Sequence, residues 1–181
     1  MKKLFWQMNV TLDSLMEGPN QELDSTAEFE DKDFKRYVAE MLNSIDAILL
    51  GRVTYELFAG FWPAATLPEA RRMNELQKIV FSRTLETVEW KNSRLVKGNV
   101  ADEIAKLKSQ PGKEIAVFGS ADLASTLMRH GLIDEYRIFV NPVVLGSGTP
   151  MFKGIKDRIA LKLLQATTMS SGVVALYYQP A

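Results

Sequence analysis

Three places in the chain end an apolar run in small, hydroxylated or basic residues. Leu49-Leu50-Gly51-Arg52-Val53-Thr54 and Val117-Phe118-Gly119-Ser120-Ala121 each set a glycine between a run with the look of a buried strand and a helical pattern. A helix N-terminus presents unpaired N–H groups and a partial positive charge, and glycine lets the backbone approach an anion closely, so each turn is a potential phosphate site. In the first, Arg52 can meet a phosphate with two parallel hydrogen bonds and Thr54 adds a hydroxyl; the competing reading pairs Arg52 with a surface carboxylate. Neither turn has a complete G-x-G-x-x-G pattern, and such turns also arise because the chain needs a permissive residue. Phe81-Ser82-Arg83-Thr84 again follows an apolar run and offers a hydroxyl and a guanidinium. Two arginines at strand ends suit a ligand with several phosphates, which points to a nucleotide with an additional phosphate, as in NADPH.

The elements that must position these residues follow from periodicity. Lys3 to Leu12 reads as a strand leading into a loop at Asp13 to Asn20. From Ser25 or Thr26 to Ser44, apolar residues recur at helical spacing, with Glu28 three residues after Ser25 as a capping box. Asp46–Gly51 and Lys78–Ser82 are short apolar runs of the kind buried on both faces of a parallel sheet, and Arg94–Lys97 is a shorter strand. Helices are expected at Thr54–Ala59, Glu69–Leu76, Val100–Ser109 and Ala121–Arg129, with a strand at Glu114–Phe118. Asp134–Leu145 reads as a long strand stopped by Gly146-Ser147-Gly148, and Ile159–Ala166 with Val173–Gln179 reads as a terminal antiparallel hairpin. Alternating strand and helix followed by antiparallel strands predicts a mixed, mostly parallel sheet with helices on both faces.

Composition narrows the partners. The chain has 181 residues, one domain over 1–181 by length, with 46% apolar and 24% charged residues. Lys plus Arg and Asp plus Glu are 22 each, so no global field favours nucleic acid or an anionic membrane. With no Cys and one His, a zinc ribbon or other transition-metal site is not expected, and His130, at a predicted helix end, reads as structural. Polar Gln7, Asn9, Thr11 and Asp13 interrupt the N-terminal apolar residues, so no signal peptide is read, and no run approaches the ~20 residues needed to span a bilayer. A cytoplasmic protein is the expectation. Glu28, Glu30, Asp31 and Asp33 form an acidic cluster whose plain reading is favourable charge near a helix N-terminus plus a solvated face.

The order Asp46-Ala-Ile-Leu-Leu-Gly-Arg-Val-Thr-Tyr-Glu56, Lys78-Ile-Val-Phe-Ser82, Glu114-Ile-Ala-Val-Phe-Gly-Ser120 resembles dihydrofolate reductase and the reductase domain of riboflavin biosynthesis. Thr11-Leu12-Asp13 is similar to the Ser-Leu-Asp-Gly segment of the riboflavin-type reductases. Leu132-Ile-Asp-Glu-Tyr136 and Pro142-Val-Val-Leu-Gly-Ser-Gly-Thr-Pro-Met-Phe152 resemble their late strand and loop. The resemblance covers nearly the whole chain. It implies a dihydrofolate reductase-like three-layer α/β/α fold with a mixed, mostly parallel central sheet and a C-terminal antiparallel hairpin.

It also implies an NADPH-dependent reductase that transfers a hydride to a small planar heterocycle, pterin-like or a riboflavin-pathway pyrimidine; the alternative is a nucleotide-binding protein of this fold without hydride transfer. By position, Gly51, Arg52 and Thr54 would hold the adenosine-side phosphates and Ser82 and Arg83 would lie beside the adenosine. Phe118, Gly119, Ser120, Ala121 and Leu123 would line the path to the nicotinamide. Asp13 is the first candidate among carboxylates for substrate contact and catalysis, against a simple turn or cap, and Glu30 is the second. The acidic residue with which dihydrofolate reductase binds a pterin aligns here with Lys35 or Glu30, a departure that puts dihydrofolate itself in doubt. Phe58 and Trp62, with Phe61, fall in the region that borders the relatives' substrate cleft, where they would sandwich a flat ring or simply pack in the core. The relatives' self-association implies a homodimer, and the absence of Cys leaves at most the reductase half of the bifunctional riboflavin enzymes.

Overall fold

Residues 1–20 and 31–181 are described by a computed structural model. Strand β1 (Leu4–Thr11) lies near the middle of an eight-stranded sheet whose other members are β3 (Ile45–Gly51), β4 (Gln77–Phe81), β5 (Ser93–Val96), β6 (Glu114–Phe118), β7 (Glu135–Asn141), β9 (Leu161–Thr168) and β10 (Val174–Pro180). Their spatial order is β5-β4-β3-β6-β1-β7-β10-β9. From β5 to β7 every pairing is parallel, and β7–β10–β9 is antiparallel, as the alternation of elements and the short C-terminal connection imply. Two short strands not legible in the sequence, β2 (Leu15–Glu17) and β8 (Thr149–Pro150), pair with each other antiparallel.

Alternation along β1 divides the core. Leu4, Trp6, Met8 and Val10 pack with Ile104 and Leu107 of α4 (Val100–Ser109) and with Leu123 and Leu127 of α5 (Ala121–Arg129). Phe5 points the other way, into a cluster with Met41 and Leu42 of α1 (Lys32–Ser44), Tyr55 of α2 (Arg52–Phe61) and Met73 of α3 (Ala70–Glu75). Burial of both faces explains why the β3 and β4 runs are apolar without alternation.

Two boundaries differ from expectation. Helix α1 starts at Lys32, not at Ser25 or Thr26, because the Asp31 side chain accepts hydrogen bonds from the Asp33 and Phe34 amides and caps it. Ser25, Glu28 and Glu30 lie outside the described residues. The predicted strand from Asp134 to Leu145 ends at Asn141, since Pro142 has no N–H to continue a ladder. Asp31 also accepts from the Ser170 hydroxyl and the Ser171 amide, tying α1 to the β9–β10 turn. The Ser171 hydrogen bonds, followed by those from Asp33 and Phe34, hold its carboxyl far below the usual range. Asp33 pairs with Arg36 across one helical turn, so both described members of the acidic cluster serve the helix start.

Candidate active-site cleft

The parallel register sets β3 beside β6, with Leu49 opposite Val117, so the Gly51 and Gly119 turns emerge next to each other at the carboxyl edge of the sheet. In open α/β sheets this edge is where ligands bind. Ser120 joins the turns. Its hydroxyl oxygen accepts from the Gly51 amide at 2.9 Å, and its proton is donated to Thr54 Oγ1 at 2.8 Å. To do this Ser120 adopts left-handed φ 51°, ψ 59°, directly after Gly119 at φ 55°. A side chain at position 51 would meet Ser120 Oγ at 3.3 Å, so the close approach requires glycine there.

These turns wall a cleft of about 860 Å³. Gly51, Arg52, Thr54, Ser82, Arg83, Ser120, Ala121 and Leu123 all line it. Phe118 and Gly119 do not line it but support its floor: Phe118 is the buried last residue of β6, and Gly119 donates to the Gln7 carbonyl and accepts from the Trp6 indole. Helices α2 and α5, whose N-termini reach the cleft, have no side-chain cap, whereas Asp31 and Asn99 cap α1 and α4. First-turn N–H groups of α2 and α5 are thereby left to a ligand.

The cleft is basic. Arg52 pairs with Glu56 at 2.9 Å and Lys153 with Asp122 at 3.2 Å, while Arg83, Lys97 and Arg129 have no carboxylate within 4.0 Å among the described residues. Lys97, Asn99, Arg129 and Lys153 were not singled out in the sequence. Lys97-Gly98-Asn99 did carry a signal, since it sets a glycine between a strand and a helix as the other two turns do. His130 closes α5 as its C-cap and also borders the cleft, a position its helix-end reading did not anticipate.

Asp13, Phe58 and Trp62 lie elsewhere. The Asp13 carboxylate accepts from the Thr11 hydroxyl at 2.6 Å and from the Gly146 and Leu145 amides at 2.8 and 3.2 Å, pinning the loop after β7 to the end of β1. Those bonds, the Thr11 hydroxyl first, hold its carboxyl below the ordinary range, which makes it a poor proton donor near neutral pH. It is a loop pin, one form of the turn role that competed with catalysis. Phe58 and Trp62 pack edge-to-face at 6.3 Å in the layer of α1 to α3 and do not line the cleft. Glu30 lies outside the described residues. No group of three or more His, Cys, Asp or Glu among the described residues is placed to hold a metal.

A cleft at the carboxyl ends of parallel strands, walled by two helix N-termini on a sheet closed by an antiparallel hairpin, defines an α/β protein of the dihydrofolate reductase-like kind. Residues 2–175 match the family described as the RibD C-terminal domain, and the chain belongs to that family. It is 36% identical to uncharacterized protein YyaP of Bacillus subtilis, over 98% of this chain and 94% of that protein. Among solved structures, a Shewanella protein described as a riboflavin biosynthesis protein superposes with a TM-score of 0.81 at 20% identity, covering 99% of both chains. A Thermotoga maritima diaminohydroxyphosphoribosylaminopyrimidine deaminase/5-amino-6-(5-phosphoribosylamino)uracil reductase gives 0.76 at 17% identity, over 99% of this chain and 57% of that one. None of the described helices is long and apolar enough to cross a membrane.

Proposed function

We propose that the chain is an NADPH-dependent reductase of a small planar heterocycle, a riboflavin-pathway pyrimidine or a pterin-like ring. Family membership supports a reductase. The observation that carries the cofactor reading is the joining of two uncapped helix N-termini through Ser120, beside Arg83, Lys97 and Arg129, which have no acidic partner among the described residues.

That donor set suits a dinucleotide phosphate. The amides of α2 and α5 and the Thr54 hydroxyl would bind the pyrophosphate, and the unpaired cations would neutralise the additional phosphate that separates NADPH from NADH. The bound cofactor would supply the hydride; the protein aligns the rings and keeps water out. The exposed Leu163 and Leu164 of edge strand β9, at 49% and 45%, favour cover by a second copy as a homodimer.

Calorimetric titration with NADPH and NADH, on the wild type and on Arg83→Ala, tests the reading. NADPH is expected to bind at least about 10-fold tighter than NADH, with most of the difference lost in the variant, as removal of one charge-assisted contact implies. Binding of neither cofactor overturns it. Binding without oxidation of NADPH by any pyrimidine or pterin tried would leave a nucleotide-binding protein.

A further inference from the structure

Three buried side-chain atoms have no hydrogen-bond partner among the described residues: Asn9 Oδ1, Asn141 Oδ1 and Ser93 Oγ. Ser93 stands alone on β5. Asn9 and Asn141 stand together. In the parallel pair β1–β7, Asn9 is opposite Phe139 and Thr11 is opposite Asn141, so both asparagines lie on one face of the sheet, two register steps apart. That face is the one covered by α1, since Phe139 packs on Phe34.

The local donors are already committed. The Thr11 hydroxyl donates to Asp13, the Tyr37 hydroxyl reaches Gln7 Oε1 at 3.5 Å, and Asn141 Nδ2 donates to the Val10 carbonyl at 3.3 Å. The last bond fixes which end of the Asn141 amide is the nitrogen and leaves its oxygen unpartnered, in a residue only 1% exposed. Buried acceptors are ordinarily satisfied, and an unpartnered pair at the carboxyl edge of the sheet is a place for a ligand's donors.

The pair also adjoins the cleft. Strand β6 pairs with β1 only as far as Gln7, and the Gly119 amide then donates to the Gln7 carbonyl, so β1 runs on through Asn9 past the turn that carries Ser120. A side chain at Gly119 would touch Thr54.

We infer that the side-chain carbonyls of Asn9 and Asn141 read the acceptor heterocycle, selecting a ring whose edge presents N–H donors, as a cyclic amide or ureide does. The inference rests on the reductase reading and adds which residues set its specificity. Asn9, partly exposed, makes the outer contact; Asn141 is the enclosed acceptor behind it.

The test measures binding of 5,6-diaminouracil and of 5,6-diamino-1,3-dimethyluracil, in which methyl groups replace the ring N–H donors, to the protein with and without saturating NADP⁺. Wild type is expected to prefer the N–H compound by about 10-fold or more, the scale of one well-made hydrogen bond to a buried acceptor. Asn9→Leu is expected to lose that preference while its melting temperature stays level or rises, because an apolar isostere removes an unsatisfied group. Asn9→Asp, which keeps an acceptor oxygen, is expected to keep the preference. A wild type that does not bind the N–H compound or does not discriminate, or an Asn9→Leu that melts lower with its preference intact, would overturn the inference. NADP⁺ binding, read in the same titrations, reports separately on the reductase reading.

Discussion

Ser120 offers the sharpest test of how the cleft is held together, because it combines a strained backbone with two tertiary hydrogen bonds. A non-glycine residue in the left-handed region costs about 1–2 kcal/mol, and here that cost is offset by bonds from the Gly51 amide and to Thr54. Ser120→Ala deletes both bonds and keeps the strain, for an expected loss of about 1–3 kcal/mol. Ser120→Gly deletes the same bonds but releases the strain, less what glycine gains in the unfolded chain, so it should be about 1 kcal/mol more stable than the alanine variant. For a protein of this size that is roughly 2–4 °C in melting temperature. Both variants free the Thr54 hydroxyl to turn away from the cleft, so NADP⁺ affinity should fall by about 10-fold in each, whatever their difference in stability. Urea unfolding followed by tryptophan fluorescence and cofactor titration would measure the two effects separately. An alanine variant as stable as the glycine one would refute the left-handed assignment, and unchanged NADP⁺ affinity in both would refute Ser120 as the strut of the cleft.

Other expectations concern stability, pH and assembly. Lys78 is fully enclosed, its ammonium donating to the Asn74 and Lys91 carbonyls and lying 4.2 Å from the centre of the Trp90 ring; burial, then the Lys91 charge, pulls its pKa from 10.5 to about 8. Because the unfolded chain holds this proton more tightly, the stability of wild type relative to Lys78→Met should rise by about 2 kcal/mol between about pH 7 and pH 9.5; a flat difference in urea titrations would show that Lys78 is not desolvated. The depressed carboxyl of Asp13 contributes stability above its ordinary value of 3.8 that is lost as pH falls through the lower folded value, so acid titration should erode wild type more than Asp13→Asn. At neutral pH, proteolysis should cut near Gly146 faster in that variant, and equal cleavage would deny the pin. Leu164→Lys, on the exposed edge strand, should give the monomer mass in light scattering where wild type gives a dimer.

Local physics made the strand and helix order legible. Apolar runs ending in glycine, the amphipathic spacing around Tyr37 and Met41, and the short C-terminal connection depend only on near neighbours in the chain, and each reappears as an element within a few residues of its expected limits. Eight of the ten residues assigned to cofactor line the cleft, because a strand–glycine–helix turn at the carboxyl edge is itself a local pattern. What the chain order left undecided depended on contacts between distant segments. The pairing of β3 with β6 brings Ser120 to Gly51 across 69 residues, and the packing of α5 beside the β5–α4 turn adds Arg129 and Lys97 to the same cleft. Tertiary structure likewise turned Asp13 toward the loop after β7 and laid Phe58 and Trp62 in the other layer. A carboxylate or an aromatic ring has the same spacing in the chain whether it faces a ligand or the core, and only the surroundings that the fold assembles distinguish the two.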